Sequence, residues 1–161
     1  MADFTAQIDT KALKAIEKAM DDATRFRPLL DRIGRVMLAD TRMNFRQGKG
    51  PGGTPWEPLR IRRGQPLRDT GRLQNSITYA VSDTEVEIGT NVAYAAVHQS
   101  GATITPKNGP HLVFPGPRGM IFAKKVTIPA RPFIGLEQRQ AGKINDAINA
   151  WIKEVVDGTS H

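Results

Sequence analysis

The apolar residues of this 161-residue chain repeat with one period near its two ends and with another in its middle. In residues 9–46 and 136–157 they recur every three or four positions, which is the spacing of amphipathic helices. In residues 73–133 they form short segments, some alternating with polar residues as in half-buried strands. Gly and Pro interrupt residues 47–66 and indicate a flexible loop. The pattern predicts a single α+β domain over residues 1–161.

In this predicted domain an antiparallel sheet packs against a long N-terminal helical segment and a C-terminal helix, with long Gly/Pro-rich loops between them. Pro28 fits the first turn of a helix, where its missing N–H is harmless. Gly34 costs about 1 kcal/mol in a helix interior relative to Ala, so it marks either close packing or a bend. The sequence is compatible with one long kinked helix or with two consecutive helices. A β-hairpin is predicted from Leu73 through Ile88, with a turn at residues 82–84.

The positive charge of the chain is concentrated in one segment. The net charge is +7, yet residues 25–72 alone carry twelve basic and four acidic groups, or +8. Residues 73–97 carry three acidic groups and no basic one, or −3. A basic segment of this kind attracts nucleic acid, acidic protein surfaces or anionic lipid, or it is simply a solvated loop face.

Several classes of function lack the residues they need. Cysteine is absent, which excludes disulfides, thiolate nucleophiles and Cys-based zinc sites and fits a reducing cytoplasm. The Gly-rich residues 48–53 lack the spacing of a phosphate-binding loop. The three histidines lack metal-site spacing, and His98 is interpreted as packed or hydrogen-bonded rather than catalytic. No signal peptide or membrane-length apolar run is found, so a soluble protein is expected. Because the residue patterns above are missing, we also expect no catalytic, cofactor-binding or metal-binding residues.

Four segments carry a more specific pattern. They are Trp56-Glu57-Pro58-Leu59, Leu67–Ile77, Ile88-Gly89-Thr90 followed by Tyr94–Gly101, and Ile128–Gly135. In order and in spacing they resemble the motifs of the phage virion morphogenesis (tail-completion) family, including its W-x-x-L and L-x-x-T-G-x-L-x-x-S-I runs. The resemblance extends over roughly residues 30–155, and it is the succession of the four segments that makes it specific.

The resemblance implies a structural, non-enzymatic α+β protein that completes or terminates the tail of a tailed phage and helps form the head–tail junction. It implies an oligomeric ring, with a hexamer as the expected form, that contacts tail-tube and head-connector proteins and, non-specifically, the DNA in the channel. The expected location is the virion tail or neck, after assembly in the host cytoplasm and without contact to a membrane. From the residues alone, the alternative is a basic accessory protein that binds DNA non-specifically.

The residues predicted to mediate interactions lie in the basic segment and in the last of the four motif segments. Trp56 is either a core anchor or an interface hot spot. Arg131, between two prolines, is suited to a forked contact, either between subunits or as an ion pair within one subunit. The candidate interaction residues are Lys49, Trp56, Arg60, Arg62, Arg63, Arg68 and Arg131.

Overall fold

The computed structural model describes residues 26–60 and 63–157, together with Lys14, Lys18 and Asp21. In chain order, the described residues form four helices and six strands. They are α1 (Arg27–Gln47), α2 (Arg72–Ser76), β1 (Thr78–Val81), β2 (Val86–Gly89), α3 (Ala95–Ser100), β3 (Ala102–Ile104), β4 (Leu112–Gly116), β5 (Gly119–Ala123), β6 (Val126–Ile128) and α4 (Gln138–Val156).

The predicted α+β class with antiparallel pairing is confirmed. The strands form three separate two-stranded sheets, in which β1 pairs with β2, β3 with β6, and β4 with β5. Each strand has only three to five residues. Gly and Pro residues within β4 and in the connections on either side of it limit the pairing there. One stretch rich in Gly and Pro, residues 105–119, contains the paired strand β4.

Helix α1 is continuous from Arg27 to Gln47, with Pro28 in its first turn as predicted. It ends at Gly48, whose left-handed φ of 65° is a conformation that glycine adopts without the strain of a Cβ. The remainder of the predicted helical segment, residues 9–25, lies outside the described residues apart from Lys14, Lys18 and Asp21.

Gly34 allows α1 to approach the β1–β2 hairpin closely. A Cβ built at this position lies 2.3 Å from Cδ2 of the Tyr79 ring, far inside van der Waals contact. The Tyr79 hydroxyl donates a hydrogen bond to Asp31 Oδ1 at 2.8 Å, one helical turn before Gly34. Of the two interpretations of Gly34, the structure therefore shows close packing.

We expect Gly34→Ala to lower the free energy of unfolding by about 1–3 kcal/mol, because the clash with Tyr79 outweighs the better helix propensity of Ala. Gly142→Ala is the matched control, since nothing lies within 4 Å of a Cβ at that exposed position of α4. There the same substitution should raise stability, by up to about 1 kcal/mol. Urea unfolding followed by circular dichroism measures both changes. If Gly34→Ala and Gly142→Ala shifted the free energy of unfolding in the same direction, the close packing at Gly34 would be contradicted.

Residues 72–76 are helical, which corrects the predicted strand that begins at Leu73. Thr70 Oγ1 accepts a hydrogen bond from the Arg72 N–H at 3.3 Å, and the Asn75 N–H donates to Gly71 O at 2.9 Å. Leu73 and Ile77 are both buried, four residues apart, as helical spacing allows. Their apolar spacing fits a strand and a helical turn equally well, and the local hydrogen bonds select the turn.

Two apolar clusters hold the described residues together. Phe45, with no exposed surface, lies at the centre of the first. Its buried partners are Trp56, Leu73, Ile77, Val92, Ala95 and Phe133. The second cluster joins α1 to α4 through Leu29 and Trp151, with the Phe26 ring 5.3 Å from that of Trp151. Helix α4 begins with a capping box between Glu137 and Gln140, and its predicted end at Gly158 lies outside the described residues.

Candidate interaction surface

The Trp56 segment and the segment around Arg131 are joined by side-chain hydrogen bonds to backbone carbonyls. Trp56 Nε1 donates to Pro132 O at 2.8 Å. In the opposite direction, Arg131 Nε donates to Glu57 O at 2.8 Å, and Arg131 Nη2 donates to Pro58 O at 3.3 Å. Two motif segments about 75 residues apart in sequence therefore bind each other reciprocally.

Helix α3 joins the same network through Gln99. Its amide Nε2 donates to Ile134 O at 2.7 Å, while Oε1 accepts from the N–H groups of Phe133 and Ile134 at 3.1 and 3.3 Å. The Arg131 N–H adds a bond to His98 O at 2.7 Å. We call residues 56–58, 98–99 and 131–134 the motif junction. These hydrogen bonds join three separate segments of the chain, so the motif junction is part of the scaffold of the fold.

The remaining motif residues also support the scaffold. The hydroxyls of Ser76 and Thr90 lie 2.6 Å apart, and the Val92 N–H donates to Thr90 Oγ1 at 3.1 Å. These bonds join the end of α2 to the chain that follows β2. The buried motif residues thus position the core cluster around Phe45, whereas Arg68 and Arg72 of the Leu67–Ile77 segment are exposed.

The structure buries two of the predicted interaction residues. Trp56 lies in the core, with its ring edge-on to that of Phe45 at 5.5 Å, so it is the core anchor of the two alternatives. Arg131 is only 5% exposed, and its guanidinium binds backbone carbonyls of its own chain. Neither side chain offers a broad surface to a partner in this arrangement.

We expect Arg131→Ala to lower the free energy of unfolding by roughly 2–4 kcal/mol, because a buried side chain is removed and the partly buried carbonyls of Glu57 and Pro58 lose a charged donor. The exposed Arg68→Ala is the control and should change stability by no more than about 0.5 kcal/mol. Urea unfolding at two protein concentrations tests the intrachain role, because a loss that arises between subunits depends on concentration. Wild-type stability in Arg131→Ala would contradict the structural role.

The other predicted residues lie at the surface. Lys49 follows the end of α1 and is exposed, as are Arg63 and Arg68. Arg60 donates from Nη2 to Glu57 Oε1 at 2.6 Å, in an exposed pair of the kind that stabilises little. Arg62 lies outside the described residues. The residues around Lys49, predicted to form a flexible loop, are closed into a turn.

That turn is held by backbone hydrogen bonds. The Gly50 N–H donates to Thr54 O at 2.8 Å, and the Trp56 N–H donates to Gly48 O at 2.8 Å. Pro51 is buried, with its Cγ 2.8 Å from a Cβ built on Gly135. Gly and Pro exclude a long helix or strand here but permit this compact turn.

Gln65 brings the basic residues of the chain after Trp56 to the end of α1. Its Nε2 donates to Phe45 O at 3.2 Å and to Arg46 O at 3.3 Å, carbonyls that the helix itself leaves unsatisfied. Its Oε1 accepts from Arg68 Nη1 at 2.9 Å. Arg42 and Arg46 are exposed one turn apart on the same helix. We call the exposed cations at this end of the molecule the basic surface: Arg42, Arg46, Lys49, Arg60, Arg63, Arg68 and Arg72.

A buried carboxylate that the sequence did not reveal lies on the inner side of α1. Asp40 is buried, and its oxygens accept from Lys143 Nζ at 2.5 Å, Gln140 Nε2 at 2.5 Å and Arg139 Nη2 at 3.0 Å. Arg139 also donates to Asn44 Oδ1 at 2.8 Å. We call these five residues the Asp40 cluster. It joins α1 to α4 across about 100 residues of sequence.

The electrostatics of the Asp40 cluster leave the basic surface positive. Burial acts to raise the pKa of Asp40, but the hydrogen bonds from Lys143 and Gln140 and the charge of Arg139 outweigh it and hold that pKa below its usual range. The carboxylate is thus ionised and compensated by cations of α4. Because its charge is turned inward, it does not neutralise the exposed cations Arg42 and Arg46 on the outer side of the helix.

An open cleft of 490 Å³ lies between the basic surface and α3, next to the motif junction. Its lining includes Asp69, Arg72, Arg131 and His98, so charges of both signs face it. Burial, and then the charge of Arg131, lower the pKa of His98, which therefore remains neutral at neutral pH. Among the described residues its Nδ1 has no hydrogen-bond partner, and its ring lies edge-on to that of Tyr94 at 5.7 Å. In this part of the chain no group of His, Asp or Glu is arranged to hold a metal ion.

The sequence profile of the phage virion morphogenesis family matches residues 8–153. The chain belongs to this family. It is 34% identical over 142 residues to Mu-like prophage FluMu G protein 2 of Haemophilus influenzae, covering 88% of this chain and 89% of the relative. It is 28% identical over 158 residues to the "Putative capsid assembly protein G" of Escherichia phage Mu, covering 91% and 92%. No solved structure matches this chain.

Membership in the phage virion morphogenesis family places this protein in phage virion assembly, and the family is not a class of enzymes. The motif residues of the family form the scaffold described above. Over residues 26–60 and 63–157 no helix is long and apolar enough to cross a membrane. Among the described residues, the basic surface and the exposed faces of the strands are candidates for assembly contacts.

Proposed function

We propose that this protein completes or terminates the tail of a tailed phage and helps form the head–tail junction, without catalytic activity of its own. In this role it acts as an oligomeric ring, with a hexamer as the expected form. The observation that carries the proposal is the family match over residues 8–153, and three of the four motif segments meet in the motif junction. Such a junction suits a ring subunit, which must keep its shape while its outer surfaces contact neighbours.

The basic surface supports the partners that this role requires. Its cations lie on an exposed helix face and on the chain after Trp56, where they are accessible to large partners. Acidic surfaces of tail-tube and head-connector proteins attract such a surface, and so does the genomic DNA that passes through the channel. The proposed location is the virion tail or neck, after assembly in the host cytoplasm.

The test is electron microscopy of lysates from a phage with a stop codon early in this gene. We expect filled heads beside unattached tails or tails of abnormal length. Abnormal length indicates a role in terminating the tube, whereas unattached tails of normal length indicate a role in joining. A matched lysate supplied with the wild-type gene on a plasmid should contain joined particles. Normal infectious virions without the protein would overturn the proposal.

The exposure of the basic surface also favours a second candidate, a DNA-binding accessory protein. If the surface neutralises about six phosphates, the logarithm of the DNA association constant should fall with the logarithm of salt concentration with a slope near −5. Filter binding of random-sequence duplexes between low and physiological salt measures this slope. The variant Arg42→Ala/Arg46→Ala should flatten the slope by about 2. Weak binding without this salt dependence would assign the basic surface to protein partners.

A further inference from the structure

Strands β3 to β6 form an arm with an exposed apolar face. The strands are nested, with β4 paired to β5 at the outer end and β3 paired to β6 at the base. At the base, Gly101 lets the two chains converge, because a Cβ there lies 2.8 Å from the backbone nitrogen of Ala130. We call residues 102–128 the β-arm. Within the described chain, none of these residues is buried.

The two faces of the outer ribbon differ in exposure. Val113 is opposite Phe122 and Pro115 is opposite Met120, so these four side chains lie on one face. Val113, Met120 and Phe122 are 54%, 57% and 66% exposed, whereas the side chains of the other face are partly covered. A contiguous apolar face on a two-stranded ribbon is an interaction surface rather than ordinary solvent-facing structure.

The charges around this apolar face have one sign. The β-arm contains Lys107, Arg118, Lys124 and Lys125, all exposed, and it has no acidic residue. A partner for this arm therefore needs an apolar or small-residue floor to cover the ribbon face. It also needs negative charge at the rim to meet the lysines and the arginine.

The same chain carries a surface with these properties on the β1–β2 hairpin. Tyr79 packs toward α1, and successive side chains of a strand point to opposite faces. The residues on either side of Tyr79 and their cross-strand partners therefore face outward. These are Thr78 opposite Gly89 and Ala80 opposite Glu87, and they form the floor of an open groove of 590 Å³. Apart from Glu87, the floor residues Thr78, Ala80 and Gly89 are small, which lets a flat ribbon approach the backbone closely. We call this surface the hairpin groove.

The hairpin groove carries negative charge: Glu87 lines it, and Asp83 and Glu85 lie in the adjoining turn between β1 and β2. Asp83, Glu85 and Glu87 are exposed, and residues 73–97 contain no Lys or Arg. Asp83 pairs with Arg27 at 3.5 Å, and because both side chains are 61% exposed this ion pair is readily exchanged for another. In the described chain, no residue of the β-arm lines the hairpin groove, which leaves the groove open to a second copy.

We propose that the apolar face of the β-arm in one copy of this chain docks in the hairpin groove of the next copy. The contact joins two different surfaces, so each subunit offers an arm on one side and a groove on the other. Repetition of such a head-to-tail contact produces a ring if the rotation closes. The proposal rests on the ring of the proposed function and names the surfaces that build it.

The absence of cysteine from the chain permits a clean cross-linking test. Phe122→Cys on the arm and Ala80→Cys in the groove are both exposed positions, and the two full-length variants are mixed under mild oxidation. We expect the mixed disulfide to form at least about tenfold faster than either homodisulfide, because docking raises the local thiol concentration. Circular dichroism of each variant before mixing checks that both are folded.

The matched control replaces Ala80→Cys with Ala150→Cys, an exposed alanine on α4 outside the groove. A mixed disulfide that forms no faster with Ala80→Cys than with Ala150→Cys overturns the proposal. Predominant Phe122→Cys homodisulfide also overturns it, because the arms then pair with each other. Adding Glu87→Lys to the Ala80→Cys copy should slow the cross-link several-fold, since it places a cation against the basic arm.

A third outcome concerns a different partner. If Phe122→Cys that carries a thiol-linked photo-cross-linker attaches to tail-tube subunits and leaves the hairpin groove unlabelled, the arm binds the tube and the proposal is overturned. The cross-linking experiment and the stop-codon phage test different claims, so one can fail while the other succeeds. Unattached tails with no arm–groove cross-link would retain the proposed function and reject only this interface.

Discussion

Replacing Phe45 with alanine is expected to lower the free energy of unfolding by about 3–5 kcal/mol. Phe45 has no exposed surface, and its ring lies 5.3 Å from that of Phe133 and 5.5 Å from that of Trp56. These rings belong to the last and the first of the four motif segments. Removing the phenyl group leaves a cavity at the point where α1 meets the motif junction, and the hydrogen bonds around the cavity restrict its collapse.

Met43→Ala is the control for Phe45→Ala, because Met43 is an apolar residue of the same helix and is 39% exposed. The control should lose less than about 1 kcal/mol. Urea unfolding monitored by Trp fluorescence and circular dichroism measures both, and Trp56 reports directly on the affected cluster. Equal losses for the two variants would contradict the placement of Phe45 at the centre of the core.

Asp40→Asn is expected to lower the free energy of unfolding by roughly 2–4 kcal/mol near neutral pH. The substitution retains the shape of the side chain but removes the charge that Lys143 and Arg139 compensate, and the new amide competes with that of Gln140. Since the side chains of Arg139 and Lys143 are 40% and 48% exposed, both can turn to solvent. The loss therefore stays below that for a fully buried ion pair.

The effect of Asp40→Asn should depend on pH. The pKa of Asp40 is lower in the folded chain than its ordinary value, because its hydrogen bonds and the neighbouring cations outweigh burial. Its stabilisation is thus fully present above the ordinary carboxyl pKa and is lost as the pH falls through the folded pKa. The difference between wild type and variant should shrink below about pH 4.

Chemical unfolding of wild type and Asp40→Asn at a series of pH values tests this linkage. Asp146→Asn, an exposed carboxylate on α4, is the matched control and should show little loss at any pH. A difference between wild type and Asp40→Asn that is the same at pH 7 and at the acid end would show that the carboxylate charge does not stabilise the cluster.

Sequence patterns predicted the elements that are formed by contacts between residues near one another in the chain. The three- and four-residue spacing predicts α1 and α4, and Pro28 predicts the first turn of α1, because helical contacts join residues near in sequence. Leu73 and Ile77 show the limit of this reasoning. Their spacing fits both a strand and a helical turn, and the hydrogen bonds of Thr70 and Gly71 decide for the turn.

Contacts between distant segments could not be predicted from the same patterns. The spacing of Arg139, Gln140 and Lys143 is ordinary for a solvated helix face, and only the packing of α4 on α1 brings them to Asp40. Arg131 likewise offers no sequence signal that distinguishes an internal carbonyl contact from a contact to a partner. Motif resemblance identified the family correctly, although Trp56 and Arg131 of its segments build the scaffold, and Arg68 and Arg72 are exposed.

The candidate surface was predicted in part. Counting charges located the basic segment, and the structure exposes Lys49, Arg60, Arg63 and Arg68 as cations of that segment. The exposed face of the β-arm was not predicted, because alternation of apolar residues indicates that the two faces of a strand differ but not whether another element covers a given face. The apolar strand residues Val113 and Phe122 resemble core residues in sequence and are exposed in the structure.

The most direct test of the central claim is to locate this protein in the virion. Purified infectious particles, labelled with a gold-conjugated antibody against this chain, should show gold at the junction of head and tail in most particles. Particles from the stop-codon phage, labelled in the same way, provide the background. Absence of the chain from purified virions, or gold spread over the capsid shell, would contradict a structural role at the junction.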